Sequence, residues 1–396
     1  MFNQTRCLAC GNNPTPHLLT RLSQNMTLRL IPFNTWLASV RVFTFFNIVT
    51  DWLLRLMLVF FRVIGLLRVN TDLERAVGLR GRALWQEAAR RGIPMHSFFF
   101  LNKPVDVYTA VVRGKKIYFN GLPRPTRTPY ASECWIDDKA RLRAVLTTAG
   151  LPVARGGVFS DFSSLLALYR TLPKPVIIKP RIGSRGRHTT TRISDEQSLR
   201  LAFDLAKQLC HWVILEEHLV GSVYRATAID GALAGVLCGD PPRVTGDGSH
   251  TITELVKLKN QNKHPDVSDV VIGPAHIAFL SRLELTPATV LEPGKTIDLL
   301  EKIGVSYGGH SAEVTAETHP ETKRILAAVA QAVGDPLVGF DFIIADISRS
   351  PQEQQWGVIE ANGLPFINLH HYPVAGAPNN VAKYVWDFVE KHLDEF

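Results

Sequence analysis

The segment PVIIK (175–179) ends an apolar run on Lys179 and passes into a basic loop holding Gly183, Ser184, Arg185, Gly186 and Arg187. Glycines let a backbone wrap its N–H groups around oxyanions, and Lys179, Arg185 and Arg187 offset phosphate charge, so the loop is a candidate phosphate cradle. It matches neither the P-loop pattern nor the dinucleotide fingerprint, because no helix follows at the required offset. An unrelated surface hairpin is the alternative. Further along, LVGFDFIIADI (337–347) and WGVIEAN (356–362) read as neighbouring strands carrying Asp341 on one and Glu360 with Asn362 on the other. Residues two apart on a strand share a face. Three oxygen donors at one strand end suit Mg²⁺ bridging nucleotide phosphates, with Mn²⁺ as the alternative ion. An acid between Phe340 and Phe342 is costly to bury unless paired, which favours the metal over a merely buried carboxyl.

These residues need elements to hold them, and the chain supplies both kinds. RALWQEAARRG (82–92) reads as a helix stopped by Gly92 and Pro94, followed by strands at 96–101, 106–112 and 116–120 and a linker at 123–129. Asp137 is placed to cap a helix whose apolar face includes Leu142, Val145, Leu146 and Ala149. Ser194 with Gln197, and Thr318 with Glu321, fit capping boxes for two later helices. WVILEE (212–217) is a further strand, Asp230-Gly231 joins a hairpin, and residues 381–393 form a closing helix. The expected fold class is α+β.

The 396 residues, 46% hydrophobic and 20% charged, exclude a disordered or fibrous chain, and five cysteines are too few for a disulfide scaffold. Residues 1–70 carry seven arginines, no lysine and a single acid, Asp51, so most of the net +8 charge lies there. No zinc finger or RNA-binding signature accompanies it, and nucleic-acid binding is set aside. Cys7 and Cys10 form a CxxC with His17 nearby, but no second ligand pair follows in sequence, so free thiols in a mobile terminus are preferred to a zinc site. Residues 33–69 are apolar but interrupted by Arg41, Asp51, Arg55 and Arg62, and the basic residues recur near one helical face. An interfacial membrane helix is favoured over a buried or homo-oligomer-forming helix, and both over a spanning one.

The order of these motifs resembles the ATP-grasp ligases, and within them the ATP-grasp region of cyanophycin synthetase and of related glutathione-synthesising ligases. The likeness runs from about residue 83 to the end and includes the segments at 137–153, 213–225, 241–256, 306–321 and 360–373. It implies two α+β lobes clasping ATP, beside a small preceding lobe and an N-terminal apolar helix. The expected divisions are an arm at 1–32, the apolar helix at 33–70, a pre-ATP-grasp lobe at 71–130 and the ATP-grasp domain at 131–396. By the resemblance, Lys139 and Lys179 contact ATP phosphates and the loop from Gly183 to His188 closes over them. Glu216, Glu217 and Leu219 lie along the adenine, Asp341, Glu360 and Asn362 hold magnesium, and Arg225 serves the substrate and phosphate region.

The implied reaction is ATP-dependent activation of a carboxylate as an acylphosphate, then attack by an amine to give an amide, ADP and phosphate, on an amino acid or short peptide. A cytoplasmic location follows, at the inner face of the membrane if residues 33–69 meet lipid. Val223 stands where the family usually has an acid that bonds the ribose hydroxyls, a departure on the nucleotide side. Around the acceptor site, Leu364-Pro365-Phe366 replaces a small tripeptide, and Asn368, Leu300 and Gly304 replace other usual residues. A nucleotide-binding regulatory module with a decayed site is the alternative.

Overall fold

The computed structural model describes residues 7–10, 14–38, 41–126, 130–184 and 186–396. Two helices come first, α1 (His17–Ala38) and α2 (Arg41–Val63). The expected arm to residue 32 is thus helical from His17 onward, and this helix is docked: the His211 N–H donates to Asn25 Oδ1 at 3.0 Å, and Ile31 packs against a buried core. The single helix expected over 33–69 also differs, because it stops at Val63 and Gly65 (φ 76°) turns the chain into β1 (Leu67–Asn70). On α2, Leu54, Leu58 and Phe61 face Leu67 and Phe98, while Trp52, Leu53, Leu56 and Phe60 are exposed. Among the described residues no helix is long and apolar enough to cross a membrane.

A first sheet follows, with helix α3 (Gly78–Arg90) and strands β2 (Met95–Phe100), β3 (Lys103–Val112) and β4 (Lys115–Asn120). Its order is β1-β2-β3-β4, antiparallel throughout. The β3–β4 turn is Arg113-Gly114, both at positive φ, the geometry that matches strand twist in a tight hairpin.

The next helix, α4 (Lys139–Thr148), is capped by Asp138 and not by Asp137: Asp138 Oδ1 accepts from the N–H groups of Ala140 and Arg141. A small lobe is built from β5 (Gly156–Phe159), α5 (Phe162–Thr171), β6 (Val176–Pro180), β7 (Thr190–Ile193), α6 (Glu196–Lys207) and β8 (Val213–Glu217). Its antiparallel sheet runs β5-β8-β6-β7, with Leu165, Phe203, Ile178 and Leu215 in the core beneath α5 and α6. Asp195, not the expected Ser194–Gln197 box, caps α6 through the Ser198 N–H.

The large lobe begins with the hairpin β9 (Ser222–Ile229) and β10 (Ala232–Asp240), joined at Asp230-Gly231, both at positive φ as the turn requires. An excursion follows through β11 (Arg243–Thr245), α7 (Ile252–Gln261), α8 (Pro274–Ser281) and β12 (Thr296–Asp298). The chain returns through β13 (His310–Glu313), α9 (Pro320–Val333), β14 (Leu337–Ile344) and β15 (Gly357–Gly363), then closes with α10 (Asn368–His371) and α11 (Val381–Lys391). The sheet order is β13-β10-β9-β14-β15, all antiparallel. Beneath α4 and α9 lie Phe340, Phe342, Leu142 and Leu326, all buried. His319, not the Thr318–Glu321 box, caps α9 by accepting from the Glu321 N–H. Helix α11 returns to the first sheet, where the Trp386 indole donates to the Leu84 carbonyl at 2.9 Å. The molecule is therefore a mixed α and β fold on antiparallel sheets.

Candidate active site

Lys179 stands one residue before the end of β6, next to β8, and its buried ammonium lies 2.7 Å from the Glu216 carboxylate, also buried. Burying either charge alone would be costly, so the two neutralise each other where the small lobe ends. The same ammonium reaches the Ile359 carbonyl of β15 at 3.4 Å. Lys139 opens α4 and does the equivalent from another side, donating to the Gly183 carbonyl at 2.6 Å and lying 3.4 Å from Glu360 Oε2. Two cations held by the small lobe and the start of α4 thus converge on the strand carrying Glu360.

On the large lobe, Arg225 of β9, Asp341 of β14 and Glu360 of β15 form a row across three neighbouring strands, since Asp341 is in register with both. Arg225 Nε and one terminal nitrogen donate to the two Asp341 oxygens at 2.7 and 2.8 Å. The Asp341 charge, acting against burial, holds the Arg225 guanidinium above its ordinary pKa. Asn362 follows two residues after Glu360, opposite Gly339. Burial pushes the nearby Asp137 carboxyl up, and the Glu360 charge adds to it against the pull of Lys139.

The phosphate-loop glycines earn their places by conformation, with φ of 150° at Gly183 and 61° at Gly186. Arg187 braces the loop by donating to the Ser184 carbonyl and hydroxyl. Arg185 lies outside the described residues. Leu219 is buried just beyond β8.

Glu217, expected along the adenine with Glu216, turns its carboxylate to the other face of β8. Successive strand side chains point to opposite faces, and the Glu217 carboxylate instead accepts from the Arg155 backbone N–H and guanidinium at 2.8 and 3.0 Å. Arg181 and Lys302 carried no signal in the sequence reading, whereas His370 stands where the resemblance keeps a histidine after the strand of Glu360. Arg181 clamps Asp138 with two hydrogen bonds, fixing the α4 cap beside Lys139. Lys302, buried, donates to the Gly186 carbonyl at 3.2 Å and supports the phosphate loop from behind. His370 sits between Glu313 Oε2 at 2.5 Å and Thr227 Oγ1 at 2.9 Å, fully buried under the large sheet. A strand-end lysine or a capping acid is a local signal, whereas these partners are brought in from more than 40 residues away.

Convergent cations, oxygen donors on adjacent strands and a glycine-shaped loop could hold a polyphosphate with a divalent cation. The donor set is hard: two carboxylates and an amide oxygen, the chemistry Mg²⁺ prefers.

No protein-family model matches the chain. The cyanophycin synthetase of Synechocystis sp. is 31% identical over 261 residues, covering 64% of this chain and 30% of that one. That of Geminocystis herdmanii is 32% identical over 263 residues, with the same coverage. The glutathione biosynthesis bifunctional protein GshAB of Mannheimia succiniciproducens is 30% identical over 261 residues, covering 62% of this chain and 34% of its own. The chain spans about a third of the length of these relatives. The bifunctional glutathione synthetase structure from Pasteurella multocida shares the fold over 80% of this chain and 44% of that one, with a TM-score of 0.54 and 24% identity. The resemblance to the ATP-grasp ligases read from the ordered motifs is upheld in relatives and in fold.

Proposed function

We propose that the chain is an ATP- and Mg²⁺-dependent carboxylate–amine ligase that forms an amide or peptide bond on an amino acid or short peptide. The observation that carries the reading is the convergence of Lys139 and Lys179 on the strand of Glu360, with Arg225 and Asp341 alongside. The likeness to cyanophycin synthetase and GshAB supports it. In this reading residues 131–396 are the ATP-grasp domain and 71–130 the lobe before it. Lys139, Lys179 and the loop from Gly183 to Arg187 hold the phosphates. Glu216, Leu219 and the Glu217 backbone flank the adenine. Asp341, Glu360 and Asn362 hold Mg²⁺, with Mn²⁺ as substitute. The metal supplies charge neutralisation on the transferring phosphoryl group.

The γ-phosphoryl group passes to a carboxylate oxygen and ADP departs. An amine then attacks the acyl carbon, phosphate leaves, and the amine proton is lost. Arg225 faces the growing negative charge, and closure of the phosphate loop excludes water that would hydrolyse the acylphosphate. The exposed Trp36, Trp52, Leu53 and Phe60 on α1 and α2 support a peripheral contact with the inner face of a membrane as part of the same proposal.

The test is ADP release by the purified chain with ATP and Mg²⁺ against pools of amino acids and dipeptides. Release that depends on one pool supports the ligase. ATP binding with no pool-dependent release favours the regulatory module, and absence of ATP binding refutes both.

A further inference from the structure

We propose that Cys7, Cys10, His17 and His188 hold a structural zinc ion that pins the N-terminal segment to the back of the phosphate loop. The expectation of free thiols in a mobile terminus rested on the lack of a second ligand pair nearby in sequence. The fold supplies the fourth ligand from 171 positions beyond His17. One ligand atom from each of the four residues lies within 4.8 Å of every other.

The individual spacings are those of a tetrahedral centre. Zinc–sulfur and zinc–nitrogen bonds of about 2.3 and 2.0–2.1 Å at tetrahedral angles place sulfur and nitrogen about 3.5 Å apart. Cys10 Sγ lies 3.3 Å from His17 Nε2 and 3.4 Å from His188 Nε2, and Cys7 Sγ lies 3.5 Å from His188 Nε2. The two imidazoles stand at 88° to each other with centroids 4.6 Å apart, so both can aim one nitrogen at a common point.

The surroundings are those of a ligand set already oriented. A 3₁₀ turn at Leu8–Cys10, closed by the Cys10 N–H on the Cys7 carbonyl, turns both thiols of the CxxC to one side. His17 opens α1, whose docking on the protein fixes its position. His188 is fully buried, and its Nδ1 is engaged by the Leu205 carbonyl at 2.7 Å, which sets the tautomer that leaves Nε2 free as a ligand. The His188 N–H also donates to the Ala9 carbonyl, and Lys302 bridges Ala9 and Gly186. Two thiolates and two imidazoles form a four-ligand donor set that selects zinc over Mg²⁺. Because His188 ends the loop that begins at Gly183, the metal clamps one end of the segment that encloses phosphate.

The test is metal analysis of the full chain purified without chelator, together with cobalt substitution. One zinc per chain is expected, with loss of at least about four fifths of it in Cys7→Ser and Cys10→Ser and none in Cys134→Ser, since a site missing one of four ligands binds far more weakly. The wild-type chain loaded with Co²⁺ should show the intense visible bands and thiolate charge transfer of a tetrahedral sulfur–nitrogen centre, a readout that needs no variant to fold. Chelation should speed amide exchange in residues 186–190. A wild-type chain that takes up no stoichiometric zinc after reconstitution with zinc chloride, or that gives only octahedral cobalt bands, overturns the proposal. So does zinc retained in full by Cys10→Ser.

Discussion

Arg225 grips Asp341 with two parallel hydrogen bonds of 2.7 and 2.8 Å, so both oxygens of a proposed magnesium ligand are engaged by the neighbouring strand. The pair sits in register, with Glu360 directly beyond Asp341. Metal binding therefore competes with the guanidinium for Asp341, or shares it. Asp341→Asn is expected to lower kcat by at least about 100-fold and to cost stability of about 1–3 kcal/mol, because Arg225 loses its charged partner. Steady-state kinetics and thermal unfolding measure the two effects separately.

The Lys179–Glu216 pair makes a distinct prediction. Removing the cation by Lys179→Met leaves Glu216 buried beside an apolar chain, so the variant should bind ATP at least about tenfold more weakly and unfold earlier. The double variant Lys179→Met/Glu216→Gln should recover stability but not ATP affinity. Calorimetric ATP titration and melting of both variants would show the split; recovery of affinity in the double variant would place Lys179 away from the phosphates.

His218 and His371 give the fold a pH dependence. Burial lowers both imidazoles to a pKa of about 4, with positive neighbours acting in the same direction. For His371 the Ala382 N–H also donates to Nε2 at 3.0 Å, a bond only an unprotonated nitrogen can accept. The unfolded chain takes up these protons near the ordinary histidine value of about 6.5, so it binds more protons than the folded one between there and about 4. The contribution is present in full above about 6.5 and falls as the pH drops towards 4. At pH 5 the loss is on the order of 2 kcal/mol for each group, as an upper limit. Denaturant melts at pH 7.5 and 5 would read it, and His218→Gln should flatten the dependence.

The buried His370 network tolerates little intrusion. A Cβ at Gly235 would meet the His370 ring at 2.7 Å and the Asn379 amide at 3.0 Å. Gly235→Ala should therefore displace His370 from Glu313 and Thr227 and lower stability by about 1–3 kcal/mol. His370→Asn should be milder than His370→Leu, since an amide retains a hydrogen bond to the buried Glu313.

Particular residues show what the sequence could disclose. Lys179, Glu216, Asp341 and Glu360 stand on short apolar strands, where a charged side chain is conspicuous, and the structure brings all four to the meeting of the two lobes. The starts of α4, α6 and α9 lie within a residue or two of the sequence reading but with a different cap, as Asp138 for Asp137, because adjacent polar residues compete and tertiary partners such as Arg181 decide between them, whereas α3 begins four residues before the expected 82. Helix α1 was missed since its polar and apolar residues show no clean period, and its placement depends on contacts such as Asn25 to His211. Cys7, Cys10 and His17 are legible locally as an incomplete set, but the residue that closes the cluster, His188, comes from a distant loop.

The central claim is that a carboxylate is activated as an acylphosphate, and trapping that species with hydroxylamine tests it most directly. With ATP, Mg²⁺, hydroxylamine and the carboxylate substrate found in the pooled screen, the wild-type chain should form one hydroxamate for each ADP released, and Glu360→Ala should form neither. ADP released without hydroxamate, or AMP and pyrophosphate in place of ADP, would contradict the account.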